Sequence, residues 1–198
     1  VHPIRRKPLW RWELLLLALV LVLAMTASVV SAADWPVIGP VLSILLLVAA
    51  IALALALIVP LIRRGGRDSE GTRRSLDGVR LVPYADAAAA AGVHISPRRL
   101  AVDETSRRQT SIDAARATST GLRAVLTPDA SRWLGRELRV AVDLVTDRGT
   151  IHRAGFVPRD VDASIHRVIA PLTAEGRAAL VPVVVSGSTR PITVEITA

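Results

Sequence analysis

The sequence predicts an α+β protein, an N-terminal transmembrane helical hairpin followed by a small, mainly antiparallel β domain with one or two helices. Three observations carry this. Leu14–Ile62 holds two apolar runs, LLLLALVLVLAMTASVVSAA and VLSILLLVAAIALALALIVPLI, on either side of DWPVIGP. From Gly121 onward, apolar residues alternate with polar ones at the period of a strand. Between two such strands, Ile165, Val168, Ile169 and Leu172 recur at helical spacing. Four segments follow: a basic head over 1–13, the hairpin over 14–62, a flexible charged linker over 63–78, and a β-rich domain over 79–198, best defined over 121–198.

The hairpin organises the chain. Runs of about 20 apolar residues are long enough to cross a hydrocarbon core roughly 30 Å thick. Two antiparallel helices satisfy their own backbone hydrogen bonds in lipid. Arg5, Arg6, Lys7 and Arg11 precede the first run, Arg63, Arg64 and Arg67 follow the second, and the turn carries only Asp34. Basic flanks stay on the cytoplasmic side. A two-span protein of the inner membrane is expected, with both termini cytoplasmic and the lipid bilayer as a partner. Trp10, Trp12 and Trp35 stand at the ends of the runs, where amphipathic rings prefer the headgroup layer. Pro36, Gly39 and Pro40 are expected to break the helices. The competing reading is a secretory signal cleaved near Val30-Ser31-Ala32. Its apolar stretch is shorter than the first run here, and no second run follows it. No ionisable group lies within the runs beyond Glu13 at the edge, which disfavours a transporter or channel.

After the linker RRGGRDSEGTRR, Val79–Val82 reads as a short strand and Tyr84–Gly92 as a short helix stopped by its glycine. Ser96–Thr120 is polar and reads as a long loop around a helix at Ser111–Ala117. Leu122–Thr127 is a strand closed by Pro128-Asp129. Glu137–Thr146 is a second, with Leu138, Val140, Val142 and Leu144 on one face. Asp147-Arg148-Gly149 turns the chain, Ile151–Val157 returns as a hairpin, and Pro158 ends it. Asp160 or Asp162 is placed to cap the helix that follows. Ala179–Val185, a turn at Ser186-Gly-Ser-Thr, and Pro191–Thr197 complete the domain.

Composition narrows the function. The chain carries 25 basic and 17 acidic residues, a net charge of +8. From Gly71 onward, 18 arginines stand against 13 acidic residues, a net of +5 and short of the bias of a dedicated duplex binder. Cysteine is absent, which excludes disulfides, thiolate nucleophiles and cysteine-ligated metals. His94, His152 and His166 lack metal-ligand spacing, and Ser186-Gly-Ser188 lacks the context of a nucleophile elbow. Asp143 and Asp147 do not converge in a strand and turn, while Asp160 and Asp162 are explained by capping. No catalytic residue, metal ligand or cofactor site is expected, and the chain reads as a non-enzyme.

The segments Leu122-Arg-Ala-Val-Leu-Thr-Pro-Asp, Val140-Ala-Val-Asp and Ala154-Gly-Phe-Val-Pro-Arg-Asp160 resemble the HIRAN domain, over about Leu122–Ile196. That family has a G-Y-V/L-P-R motif ahead of a helix. The resemblance implies a small barrel-like module, of a kind that in some helicases binds single-stranded DNA ends, and it places Phe156 and Arg159 at the motif. Asp129 falls on the start of the family's acidic loop, but Leu134-Gly-Arg-Glu-Leu-Arg-Val replaces the loop itself.

Arg139 and Arg153 are expected to share a sheet face with Phe156 and Trp133 nearby, an arrangement suited to backbone-and-stacking contacts with a single strand. Asp143, Asp147 and Glu137 are interspersed, as on an ordinary solvated face. The candidate ligand site is therefore Arg159, Phe156 and Arg153. Its structural alternative has Phe156 in the core and Arg159 solvated. The expected function is a membrane-anchored cytoplasmic binding or scaffold domain that recognises an extended anionic ligand such as single-stranded nucleic acid. The alternative is a structural or regulatory membrane protein whose soluble domain binds a protein partner.

Overall fold

A computed structural model describes residues 5–8, 12–32, 38–63, 75–94, 96–132 and 135–198. The chain divides into two compact units, Arg6–Gly65 and Val1–Arg5 with Gly66–Ala198.

The first unit is a pair of packed helices, α1 (Glu13–Ala32) and α2 (Ile38–Arg63). Both are apolar and long enough to span a membrane. Helix α2 begins at Ile38, so Gly39 and Pro40 lie inside its first turn and do not break it. Proline is tolerated there because the first N–H groups of a helix have no intrahelical acceptor. Trp10, Trp35, Asp34 and Pro36 lie outside the described residues, as does linker 64–74.

The second unit is a mixed α+β domain. Its elements are β1 (Arg80–Pro83), α3 (Tyr84–Ala90), β2 (Arg99–Ala101), a 3₁₀ turn (Thr105–Arg107), α4 (Gln109–Thr118), β3 (Arg123–Ala130), β4 (Arg139–Val145), β5 (Ile151–Phe156), α5 (Arg159–Ala174), β6 (Arg177–Val181), β7 (Val183–Ser186) and β8 (Thr193–Thr197). They form a five-stranded sheet in the order β1-β6-β3-β4-β5 and a three-stranded sheet in the order β2-β8-β7. Among the described residues only the β1–β6 pair is parallel. Among the described residues neither sheet closes on itself.

One face of the larger sheet carries Ala124, Leu126, Val140, Val142, Leu144, Ala179 and Val181. Against it pack Ile165, Val168, Ile169 and Leu172 of α5, Tyr84 and Ala88 of α3, Ile112 and Ala115 of α4, and Val194 and Ile196 of the smaller sheet. The opposite face carries Val125, Val145 and Ala178, flanked by Leu76, Val79 and Leu81. Leu76, ahead of β1, is among the residues packed there.

Several expectations are corrected. Among the described residues three α-helices accompany the sheets, and the helix expected at Ser111–Ala117 is α4, while the rest of the polar stretch 96–120, read as a long loop, also holds β2 and the 3₁₀ turn. Among the contacts that hold it, β2 pairs with β8 (Arg99↔Thr197), and the Gln109 side chain bonds the backbone of Ile192 in both directions (2.7 and 3.0 Å). Ala179–Val185 is not one strand. Pro182 lacks an N–H, and the chain passes there from the larger sheet into the smaller. Strand β3 runs on through Pro128-Asp129 to Ala130, with a register shift that leaves Asp129 at φ 55°, a left-handed conformation aspartate tolerates. Neither Asp160 nor Asp162 caps α5, whose N-cap residue is Pro158. Gly92, at φ 67°, ends α3 as expected.

Candidate functional site

Strand β4 alternates, and its second face carries Arg139, Ala141 and Asp143, all buried. On the hairpin partner β5, Arg153 sits opposite Asp143. Arg153 Nε donates to Asp143 Oδ1 at 2.7 Å, and Thr127 Oγ1 on β3 donates to Asp143 Oδ2 at 2.8 Å. Phe156, 1% exposed, packs with Ala130 and Ala141. The guanidinium carbons of Arg139 and Arg153 lie 5.2 and 5.7 Å from its ring centroid. Such cation–π contacts are worth about 2 kcal/mol when desolvated. Arg139 Nη2 also donates to Asp103 Oδ2 and to the Val157 carbonyl, each at 2.6 Å. Glu104 accepts from Arg132 and from Arg139 at 3.3 Å. Bonding to Glu104 raises the Arg132 pKa above its ordinary value.

The expected solvated face is thus a buried ionic layer. Charged and apolar residues alternate along β4, but the charges are neutralised inside the fold. This layer is pinned at its edge. Asp103 N–H donates to the Phe156 carbonyl (2.8 Å) and Phe156 N–H to the Asp103 carbonyl (3.1 Å), so the lead from β2 closes the outer side of β5. Gly155 permits this, since a Cβ there would fall 2.1 Å from the Asp103 carbonyl oxygen.

Of the three candidate ligand residues, Phe156 and Arg153 are brought together but lie inside the domain, Arg153 with 4% of its side chain exposed. Arg159 is separate, at the start of α5, 56% exposed and paired with Glu137 at 2.7 Å. Trp133 lies outside the described residues. His152 is partly buried, its Nε2 has no hydrogen-bond partner, and burial lowers its pKa. Among the described residues no group of three His, Cys, Asp or Glu is disposed to hold a metal ion.

Two surface features were not anticipated. At the foot of α5, Arg5 of the head reaches Asp129 (2.8 Å) and Asp162 (2.7 Å). The signal for this was an arginine ahead of the first apolar run, which charge patterning explains equally well as a topogenic flank.

The second feature is β7. Among the described residues it pairs with β8 alone, through Val184↔Glu195 and Ser186↔Thr193, with Thr197 N–H on the Pro182 carbonyl. Ladder alternation therefore turns the N–H and C=O of Val183 and Val185 away from β8. Val184 is 44% exposed. Every other exposed large hydrophobic side chain among the described residues lies on α1 or α2. The remaining edges are blunted: β1 holds Arg80 and Pro83, β2 holds Arg99, and β5 is bridged by Asp103.

No family model, curated protein or solved structure matches the chain. The HIRAN resemblance rests on the segments quoted for it.

Proposed function

We propose that this chain is a non-enzymatic, membrane-anchored interaction domain that binds another protein by accepting an extended strand at β7. Helices α1 and α2 are the anchor. Large apolar side chains stand exposed along both, as lipid-facing helices require and water-exposed ones do not tolerate. The observation that carries the binding reading is the β7 edge, Val183-Val-Val-Ser186, with outward backbone groups and no charge or proline to blunt it. Strand addition draws affinity from main-chain hydrogen bonds and specificity from alternate side chains, here the exposed Val184. Among the described residues, burial of Phe156 and Arg153 leaves no exposed ring at the motif, which favours a protein ligand over a single nucleic-acid strand.

The test is recovery of the tagged full chain from membranes in mild detergent, wild type beside Val184→Lys. An exposed substitution of this kind changes stability by about 0.5 kcal/mol or less. A stoichiometric protein that accompanies the wild type and is lost with Val184→Lys supports the reading. Equal recovery with both variants overturns the edge. Recovery of nucleic acid in place of protein returns the function to the one the HIRAN resemblance implies.

A further inference from the structure

The head of the chain is seated on the C-terminal domain, and the contact is built from both sides. Arg5 spreads its two terminal nitrogens over two carboxylates, Nη1 to Asp129 Oδ1 (2.8 Å) and Nη2 to Asp162 Oδ2 (2.7 Å). Its carbonyl accepts the Leu138 N–H at 2.8 Å, so main chain and side chain are held together. The receiving groups are themselves fixed. Asp162 Oδ1 accepts the Val140 N–H at 2.6 Å, which ties the first turn of α5 to the start of β4. Asp129 is presented by the left-handed turn late in β3, and His166 Nε2 approaches it at 3.1 Å. The partners lie 124 and 157 residues from Arg5 in sequence, on opposite sides of α1 and α2.

We propose that Asp129, Asp162 and the Leu138 N–H form a receptor for an arginine in extended chain, and that the head occupies it as a clasp. The chemistry is specific. A guanidinium is planar and forked, so it can serve two carboxylates at once, whereas an ammonium is a point charge. Asp162 is largely buried, and its second oxygen is left without a counter-charge when Arg5 leaves. This extends beyond the β7 reading and does not rest on it. The clasp makes Arg5 part of the folded domain, in the same compact unit as Gly66–Ala198. It therefore holds the segments before α1 and after α2 on one side of any bilayer those helices cross. It also withdraws Arg5 from the anionic lipid headgroups that a free basic head would touch.

Hydrogen exchange at the Leu138 amide, in the full chain in detergent micelles, tests this directly. Exchange is expected to rise at least tenfold in Arg5→Ala and in Asp162→Asn, and no further in the double variant. Asparagine at 162 keeps an oxygen for Val140 N–H, so the α5–β4 tie survives. Arg5→Lys should fall between wild type and Arg5→Ala, and molar salt should speed exchange in the wild type more than in the variants. Should Asp162→Asn fail to fold, Asp129→Asn replaces it in the same cycle. Wild-type protection in Arg5→Ala, or effects that multiply in the double variant, overturns the clasp.

Discussion

Asp143 and Arg153 face one another across the β4–β5 ladder with Nε and Oδ1 2.7 Å apart, and both side chains are almost wholly enclosed. Neither charge is solvated there, so removing one partner is far worse than removing both. Asp143→Ala deprives the buried Arg153 of its carboxylate and Thr127 of its acceptor. A loss of about 3–5 kcal/mol is expected. The double change Asp143→Leu with Arg153→Met removes both charges and should cost less. Denaturant melts of the full chain in detergent measure the difference. A double variant as unstable as Asp143→Ala would contradict this account.

Gly155 lies where the two sheets are stitched. Its missing side chain lets Asp103 bond Phe156 in both directions, and a built Cβ would meet the Asp103 carbonyl oxygen at 2.1 Å and Val102 Cγ1 at 2.8 Å. Neither contact can be relieved by rotating a flexible side-chain end. Gly155→Ala is therefore expected to destabilise by about 1–3 kcal/mol through overpacking. It should also speed amide exchange at Asp103 and Phe156. Unchanged protection at both amides would show that the bridge does not depend on the glycine.

Much of the fold was legible because it was periodic. The stripe Ile165, Val168, Ile169 and Leu172 lies in the core as its spacing implied, and so do Val140, Val142 and Leu144. Pairings remote in sequence were not legible. Strand β2 has three residues, and its partner β8 lies nearly the whole domain away, so nothing local marks Arg99–Ala101 as a strand. The ionic layer was hidden for another reason. Arg139, Asp143 and Arg153 alternate with apolar residues as a solvated face would, and they are enclosed with their charges paired, Asp143 with Arg153 and Arg139 with Asp103. Phe156 stood out as the one phenylalanine, and its place beside Ala130 and Ala141 matches the structural alternative stated for it, whereas the backbone bridge to Asp103 is encoded by no motif.

Gln109 does for the smaller sheet what Asp103 does for the larger. From the start of α4 its amide donates to the Ile192 carbonyl at 3.0 Å and accepts the Ile192 N–H at 2.7 Å. It also donates to the Thr105 carbonyl at 2.8 Å. Gln109→Ala strips two backbone groups at the entry to β8 of their partner in a buried setting. Each unsatisfied group costs about 1–3 kcal/mol. The same melts should show a comparable loss, whereas Gln109→Glu keeps an acceptor for Ile192 N–H but loses the donors. A neutral Gln109→Ala would remove this clamp from the description of the fold.

His152 gives the domain a pH dependence of predictable sign. Burial lowers its pKa below the ordinary value, so the folded state binds its proton less readily than the unfolded chain does. Between the two values the unfolded state holds more protons, and stability therefore rises with pH. The contribution is fully present above about pH 6.5, the unfolded value, and is lost as pH falls toward the folded one. Melting temperature from pH 7.5 down to 5 should drop less in His152→Gln than in the wild type. Parallel curves for the two proteins would assign any acid loss to other groups.

The absence of cysteine makes the membrane topology directly measurable, because any thiol introduced is the only one present. Arg5, Arg6, Lys7 and Arg11 flank the first span, Arg63, Arg64 and Arg67 flank the second, and Asp34 alone marks the turn. Arginine and lysine resist translocation, so the two-span reading predicts both flanks on one side of the membrane and Asp34 on the other. The proposed seating of Arg5 on Asp129 and Asp162 predicts the same arrangement. A signal cleaved after Ala32 would instead remove Arg5 from the mature chain and leave Asp162 without it. Single variants His2→Cys, Asp34→Cys and Ser75→Cys, treated in intact cells with a membrane-impermeant thiol reagent, separate these cases. Asp34→Cys should label, while His2→Cys and Ser75→Cys should label only after the cells are opened. Labelling of Ser75→Cys from outside, or a mature chain that lacks residue 2, would overturn the two-span reading.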